Sequence, residues 1–163
     1  IPLAIIKGIK KNSGVQLQLK WPNDIFYKNI KIGGILIESK KTDLEYLLNI
    51  GIGININEEI DDFPDKLQNN NAISLKMITG YTIQREPLLA SIINELDVLV
   101  ENLDKNYILN EWINNCCHVN QKIKFKYKNK YIEGVFKNIN DKGEAIINYQ
   151  NQSIIYKGMI EIS

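Results

Sequence analysis

Apolar and polar positions follow two rhythms along this chain. Near the N-terminus, Ile1, Ile5 and Ile9 recur at helical spacing with Ala4 and Ile6 beside them, Pro2 suits a first turn, and Asn12-Ser13-Gly14 offers a stop. Residues 1–11 are therefore predicted to form an amphipathic helix, whose apolar surface needs a partner. Val15-Gln16-Leu17-Gln18-Leu19 then alternates strictly, as a half-buried strand does. Pro22 cannot donate to a sheet ladder, so this strand should end or bulge near Trp21, with Asn23 and Asp24 in the turn that follows. A second strand from Lys31 to Glu38 is expected to return beside the first. Residues 39–43 are polar and read as a turn. Tyr46 to Asn57 reads as a strand running into a glycine-broken end.

Residues 58–71 are acidic, then Asn-rich, and read as a surface loop with one helical turn. A short helix is expected over 74–79, stopped by Gly80. Pro87 and the run Leu88, Leu89, Ile92, Ile93, Leu96, Leu99, Val100 and Leu103 mark a long helix with a stripe wide enough to cover a sheet face. A shorter helix over 107–115 carries Trp112. After Val119 the rhythm shortens. Lysines alternate with Ile123, Phe125 and Tyr127, and further short strands are expected at 131–136, 144–149 and 153–157. Strands at this spacing suggest a small antiparallel barrel of roughly 45 residues, with Ile123, Phe125 and Val135 in its core. The reading is α+β: a mixed sheet packed on helices over residues 1–116, then a small all-β unit over 117–163.

With 163 residues, 44% hydrophobic and 24% charged, the chain is long enough for a real core. A net charge of +1 argues against a wholly electrostatic nucleic-acid binder. Cys116 and Cys117 are adjacent, His118 is the only histidine, and together they lack a four-ligand metal spacing. A reduced, cytoplasmic protein is the simplest expectation. No apolar run of membrane-spanning length and no secretory pattern is present.

The first unit holds the candidate chemistry: Asn23, Asp24, Lys31, Gly33, Gly34, Gly51, Gly53 and Asn55. Paired glycines on a strand permit close approach of a ligand to the backbone, although, taken alone, a tightly packed core strand is the better explanation of Gly51 and Gly53. A carboxylate with asparagines suits Mg²⁺, and a lysine nearby suits a phosphate or carboxylate. These residue types point towards nucleotide or acyl-phosphate chemistry.

Lys20-Trp21-Pro22-Asn23-Asp24 is followed, seven residues after the aspartate, by Lys31-x-x-Gly34-Ile35-Leu36-x-Glu38, and later by Gly51-x-Gly53-Ile54-Asn55. In order and spacing these blocks resemble the biotin protein ligase family, also called biotin–[acetyl-CoA-carboxylase] ligases. The long apolar helix and the C-terminal small barrel, SH3-like in that family, extend the likeness over nearly the whole chain. The resemblance implies a class II synthetase-like core and a two-step reaction. Biotin and Mg-ATP would give biotinyl-5′-AMP, and biotin would pass to a lysine of a biotin carboxyl carrier domain. Matched to the motif, Lys31 and Asp24 would be catalytic. Lys31, Gly34, Gly51 and Gly53 would bind biotin, Asn23, Asn55 and Lys31 would bind ATP, and Asp24 and Asn55 would hold Mg²⁺.

The sequence departs from the family pattern in two places. A Gly-Arg-Gly-Arg-like loop belongs upstream in the family, whereas Arg85 is the one arginine here. The residues thus correspond to the C-terminal part of a ligase, and adenylation by this stretch alone is not expected. The segment 158–163 also lacks the basic residue often seen near the family's C-terminus. No helix-turn-helix for DNA is visible. The competing reading is a non-catalytic module whose lysine face, Lys122 to Lys130, binds single-stranded nucleic acid. Strict alternation opposes it, because the aromatics point away from the lysines.

Overall fold

The computed structural model describes residues 1–43, 45–68 and 72–162. The first helix, α1 (Pro2–Ser13), ends on Gly14 in the left-handed region at φ 74°, whose N–H donates to Lys10 O. Its partner lies within the chain: α4 (Arg85–Glu101) crosses it at Gly8, where a Cβ would sit 2.7 Å from Ile92 Cα. Ser91 Oγ donates to Gly8 O at the same crossing. The two helices therefore meet backbone to backbone along a narrow seam.

That seam corrects the expectation for α4. Leu88 and Ile92 are buried, but Leu89, Ile93, Val98, Val100 and Leu103 are exposed. The apolar stripe is wider than one helix–helix contact can cover, so most of it does not lie on a sheet.

The first sheet runs in the order β1 (Gln18–Lys20), β2 (Asp24–Tyr27), β3 (Ile30–Lys41) and β4 (Tyr46–Ile54), with every pairing antiparallel. The returning strand pairs with β2, not with the strand before Trp21. Chain reversal at Trp21–Asn23 lets Asp24–Tyr27 form a strand of its own, which inserts between the two expected partners. The polar stretch expected as a turn extends β3 to Lys41, because Ser39, Lys40 and Lys41 pair with Leu48, Leu47 and Tyr46. A parallel bridge between Leu19 and Cys116 ties β1 to the end of α5 (Lys105–Asn114).

Between the sheet and α4 come a 3-10 turn (Ile60–Asp62), α2 (Asp65–Gln68) and α3 (Leu75–Thr79). The Ser74 hydroxyl caps α3 by accepting from Met77 N, and Gly80 closes it at φ 80°. Part of the Asn-rich stretch, 69–71, lies outside the described residues. Asp104 caps α5 by accepting from the N–H groups of Asn106 and Tyr107.

The second sheet runs β8 (Gln152–Tyr156), β7 (Ala145–Tyr149), β6 (Lys130–Ile139), β5 (Lys122–Tyr127) and β9 (Ile160–Ile162), all antiparallel. Two-residue turns with both φ positive, Lys128-Asn129 and Gln150-Asn151, join its hairpins. Ile123, Phe125, Phe136 and Ile147 are fully buried. Val135 is only half-buried, because Gly134, register partner of Ile123, takes the inward position and turns Val135 outward beside Lys122. Strand β9 has no counterpart in the sequence reading. Buried side chains of both sheets and of α1, α4 and α5 form one core.

Candidate functional site

The site is built where β2, β3 and β4 meet. Asp24 pairs with Gly34 and Phe26 with Lys31, with a register shift between Ile25 and Phe26. One residue of β3, Ile32, is thus extra, and the strand bulges there. Residues 31 and 34, which a regular strand would place on opposite faces, come to share one. Lys31 Nζ lies 2.5 Å from Asp24 Oδ1. A Cβ on Gly34 would lie 3.2 Å from Asp24 Oδ1 and 3.6 Å from Lys31 Nζ. The bare backbone of Gly34 therefore keeps open the space beside this ion pair.

Gly53 faces Gly34 across β3 and β4, and Gly51 faces Leu36 one step farther along the same face. A cleft of about 480 Å³ opens over this surface, within the size range of small-molecule sites. Lys31, Gly33, Gly34, Gly53 and Asn55 line it on the sheet side, with Phe63, Leu67 and Ala72 opposite. Gly33 has a different task. Its Cβ would meet Gly53 O at 2.5 Å, so strand-to-strand contact itself requires glycine there.

Asn23 and Asn55 are held by their own amides. Asn23 Nδ2 donates to Ile35 O at 2.6 Å while Ile35 N donates to Asn23 O at 2.9 Å. Asn55 Nδ2 donates to Ile73 O, and Asn55 O accepts from Leu75 N. In each side chain it is the carbonyl oxygen that remains to face a ligand. Next along, Asn57 brackets Ile83 by donating to its O and accepting from its N–H.

The structure thus gathers Lys31, Gly34, Gly53 and Asn55 around one cleft, with Asp24 joined to it through its ion pair to Lys31. Asn23 stands behind it as a clamp on Ile35, and Gly51 lies beyond its described lining. Sequence reasoning missed Phe63, Leu67 and Ala72, which sit in a stretch whose pattern reads only as an acidic loop. No group of three or more His, Cys, Asp or Glu side chains gathers as a metal site among the described residues. Among them, too, no helix is long and apolar enough to cross a membrane.

The lysine face of the second sheet is arranged differently. Lys124 stands between Glu133 and Glu161 on the two neighbouring strands, so its charge is offset from both sides. Ile123 and Phe125 point the other way, into the core.

Residues 1–55 match the model of the biotin/lipoate A/B protein ligase family. The chain is 40% identical over 92 residues to the bifunctional ligase/repressor BirA of Bacillus spizizenii, covering 56% of this chain and 28% of that protein. It is 24% identical over 144 residues to the biotin–[acetyl-CoA-carboxylase] ligase of Paracoccus denitrificans, covering 86% and 60% respectively. The chain therefore spans less than two thirds of these relatives' length. The fold matches that of a biotin protein ligase from Aquifex aeolicus, solved in complex with biotin and ATP, with a TM-score of 0.81. There the identity is 20%, over 99% of this chain and 68% of that one. The family match falls on the residues that build β1 to β4 and the sheet side of the cleft, and the shared fold extends over both sheets: over these residues the chain resembles the biotin/lipoate A/B protein ligase family.

Proposed function

We propose that this chain forms part of a biotin protein ligase, which joins biotin to AMP and passes it to a lysine of the carrier domain of acetyl-CoA carboxylase. In the first step an oxygen of the biotin carboxylate attacks the α-phosphorus of ATP and pyrophosphate leaves. In the second a carrier lysine, deprotonated, attacks the acyl carbonyl, an amide forms and AMP leaves. The observation that carries this reading is the Lys31–Asp24 ion pair beside a wall made only of glycine backbone, at Gly34 and Gly53.

Two anions must meet in the first step, so cationic groups have to offset their repulsion. Lys31, half exposed in the cleft, supplies an ammonium to the biotin carboxylate and to the phosphoryl group of the adenylate. Gly34, Gly53 and, farther out, Gly51 let the flat ring system and tail of biotin lie on the sheet. Phe63 and Leu67 give the opposite side an apolar wall. Asn23 and Asn55 present amide oxygens to the nucleotide.

The donor set also fits Mg²⁺, which takes one or two carboxylates and fills its remaining positions with substrate oxygens and water. Asp24 and Asn55 would hold it. When bound, the ion would neutralise polyphosphate charge and favour departure of pyrophosphate. We further place the boundary between the ligase core and an SH3-like unit at residues 116 and 117. We also assign the protein to the cytoplasm, where its free thiols Cys116 and Cys117 would stay reduced.

The test is pyrophosphate release by the full-length protein with ATP, in the presence and absence of biotin and of Mg²⁺. Release that requires both is the expected result. Release that ignores biotin, or none under any condition, would overturn the reading.

A further inference from the structure

Trp21 joins the two sheets. It is 5% exposed, and its indole Nε1 donates to Gly143 O, 2.9 Å away in the turn between β6 and β7. Its ring lies against Phe136 of β6 and Tyr156 of β8, with centroids 6.5 and 6.3 Å apart. The turn that presents Gly143 O is stiff. Asn140 Oδ1 accepts from the N–H groups of Lys142 and Glu144, Asn140 O accepts from Gly143 N, and Asn140 Nδ2 donates to Glu144 Oε2. Glu144 is also paired with Lys157 at 2.8 Å.

On its other side Trp21 is two residues from the Asn23 clamp on Ile35, and three from Asp24 with its ion pair to Lys31. Just before Trp21, Leu19 is fixed by Asn115 O and by the N–H of Cys117. None of the described residues lining the cleft comes from the second sheet. Any influence of that sheet on the site must therefore pass through backbone or side chains between the two, and Trp21 is a side chain anchored in the second sheet whose backbone leads directly to Asn23 and Asp24.

We propose that Trp21 is a positioning residue through which the β6–β7 turn of the second sheet holds the Asn23–Asp24 segment in register with Lys31. The geometry of the ion pair is then set partly from the C-terminal sheet, at Gly143, although no residue of that sheet lines the described cleft. The effect on adenylate formation rests on the function proposed above, whereas the mechanical link does not.

The experiment reads the link directly. Lysine reactivity towards acetic anhydride is measured residue by residue by mass spectrometry on the folded chain, with Lys11 as the distant control. Trp21→Phe keeps one aromatic ring but removes the pyrrole part of the indole with its N–H, leaving Gly143 O without its indole donor. Lys31 labelling should rise by about threefold as its pairing with Asp24 loosens, with Lys11 unchanged. Asn140→Ala, which slackens the turn and leaves Trp21 intact, should do the same and serves if Trp21→Phe does not fold. The double variant should match either single one, because both cut the same link. Unchanged Lys31 labelling in a folded single variant, or effects that multiply in the double, would overturn the proposal. In the full-length protein, Trp21→Phe should also lower kcat for biotin-dependent pyrophosphate release by about tenfold, with KM for biotin near its original value. If the parent protein releases no pyrophosphate, the ligase reading fails while Lys31 labelling still decides the link.

Discussion

Lys31 and Gly34, three residues apart on β3, share a face of the sheet because the strand bulges at Ile32 between them. Both then meet Asp24, Lys31 through its ammonium and Gly34 through the space it leaves open. Without the bulge, Lys31 would point to the side where Ile35 enters the core.

Lys31→Ala in the full-length protein should slow biotin-dependent pyrophosphate release by about 10²-fold or more, a few kcal/mol in the barrier. An ammonium between two anions strengthens its interaction as charge develops, so kcat should fall more than biotin affinity. Lys31→Arg should recover little, since a planar fork does not replace a compact point charge. The measurement is pyrophosphate release beside calorimetric biotin binding. Near-normal release by Lys31→Ala would make Lys31 a surface lysine only.

The two adjacent glycines should separate under substitution. Gly33→Ala would drive a methyl into Gly53 O, a backbone atom that cannot swing away, so the loss should appear in stability, on the order of 1–3 kcal/mol by thermal or denaturant unfolding. Gly34→Ala meets Asp24 Oδ1 and the flexible end of Lys31, which can give by a few tenths of an ångström. Its stability should stay within about 1 kcal/mol of the parent, while ligand affinity falls. Equal destabilisation by both would mean that Gly34 serves strand packing rather than the cleft.

Much of this was legible in the sequence, for physical reasons that differ by element. Helix α3 announces itself through Ser74 and Gly80, both local signals. The alternation of Ile123 and Phe125 with lysines fixes the inward face of β5. Strand β2 was hidden because Asp24 to Tyr27 is too short to show a period, and its neighbours already suggested a hairpin. The exposure of α4 was hidden because a stripe of leucine, isoleucine and valine states what wants burial, not what is there to bury it. The three motif blocks marked Lys31, Gly34, Gly53 and Asn55, but their convergence depends on a bulge that leaves no mark in composition. Phe63, Leu67 and Ala72 reach the cleft only through tertiary folding.

His118 gives the fold a dependence on acid. It is fully buried against Phe136, with Cys116 Sγ 3.3 Å from Nδ1. Burial, and secondarily the charge of Lys20, push its pKa down to about 4, and burial pushes the Cys116 thiol up to about 12. The unfolded chain takes up a proton at His118 near 6.5, whereas the folded chain does so only near 4. Between these values the unfolded state binds more protons, so stability rises with pH. The full contribution, on the order of 3 kcal/mol, should be present above about pH 6.5 and lost as pH falls towards 4. Urea unfolding of the parent and of His118→Phe at several pH values measures it. The variant should show a shallower loss over that window, and identical slopes would remove His118 as the cause.

Asp24→Asn tests the proposed metal site. The substitution keeps size and hydrogen-bonding capacity but removes the charge with which Asp24 pairs to Lys31 and would attract a hard cation. An amide oxygen binds Mg²⁺ more weakly than a carboxylate, so half-maximal pyrophosphate release in the full-length protein should require about tenfold more Mg²⁺, with a lower plateau. Biotin binding without ATP should change little or strengthen, because Lys31 is freed from its carboxylate partner and meets the biotin carboxylate alone. The measurements are a Mg²⁺ titration of pyrophosphate release and calorimetric titration of biotin. Loss of biotin binding with an unaltered Mg²⁺ midpoint would reverse the assignment, making Asp24 a support for Lys31 and leaving the metal to substrate oxygens and Asn55.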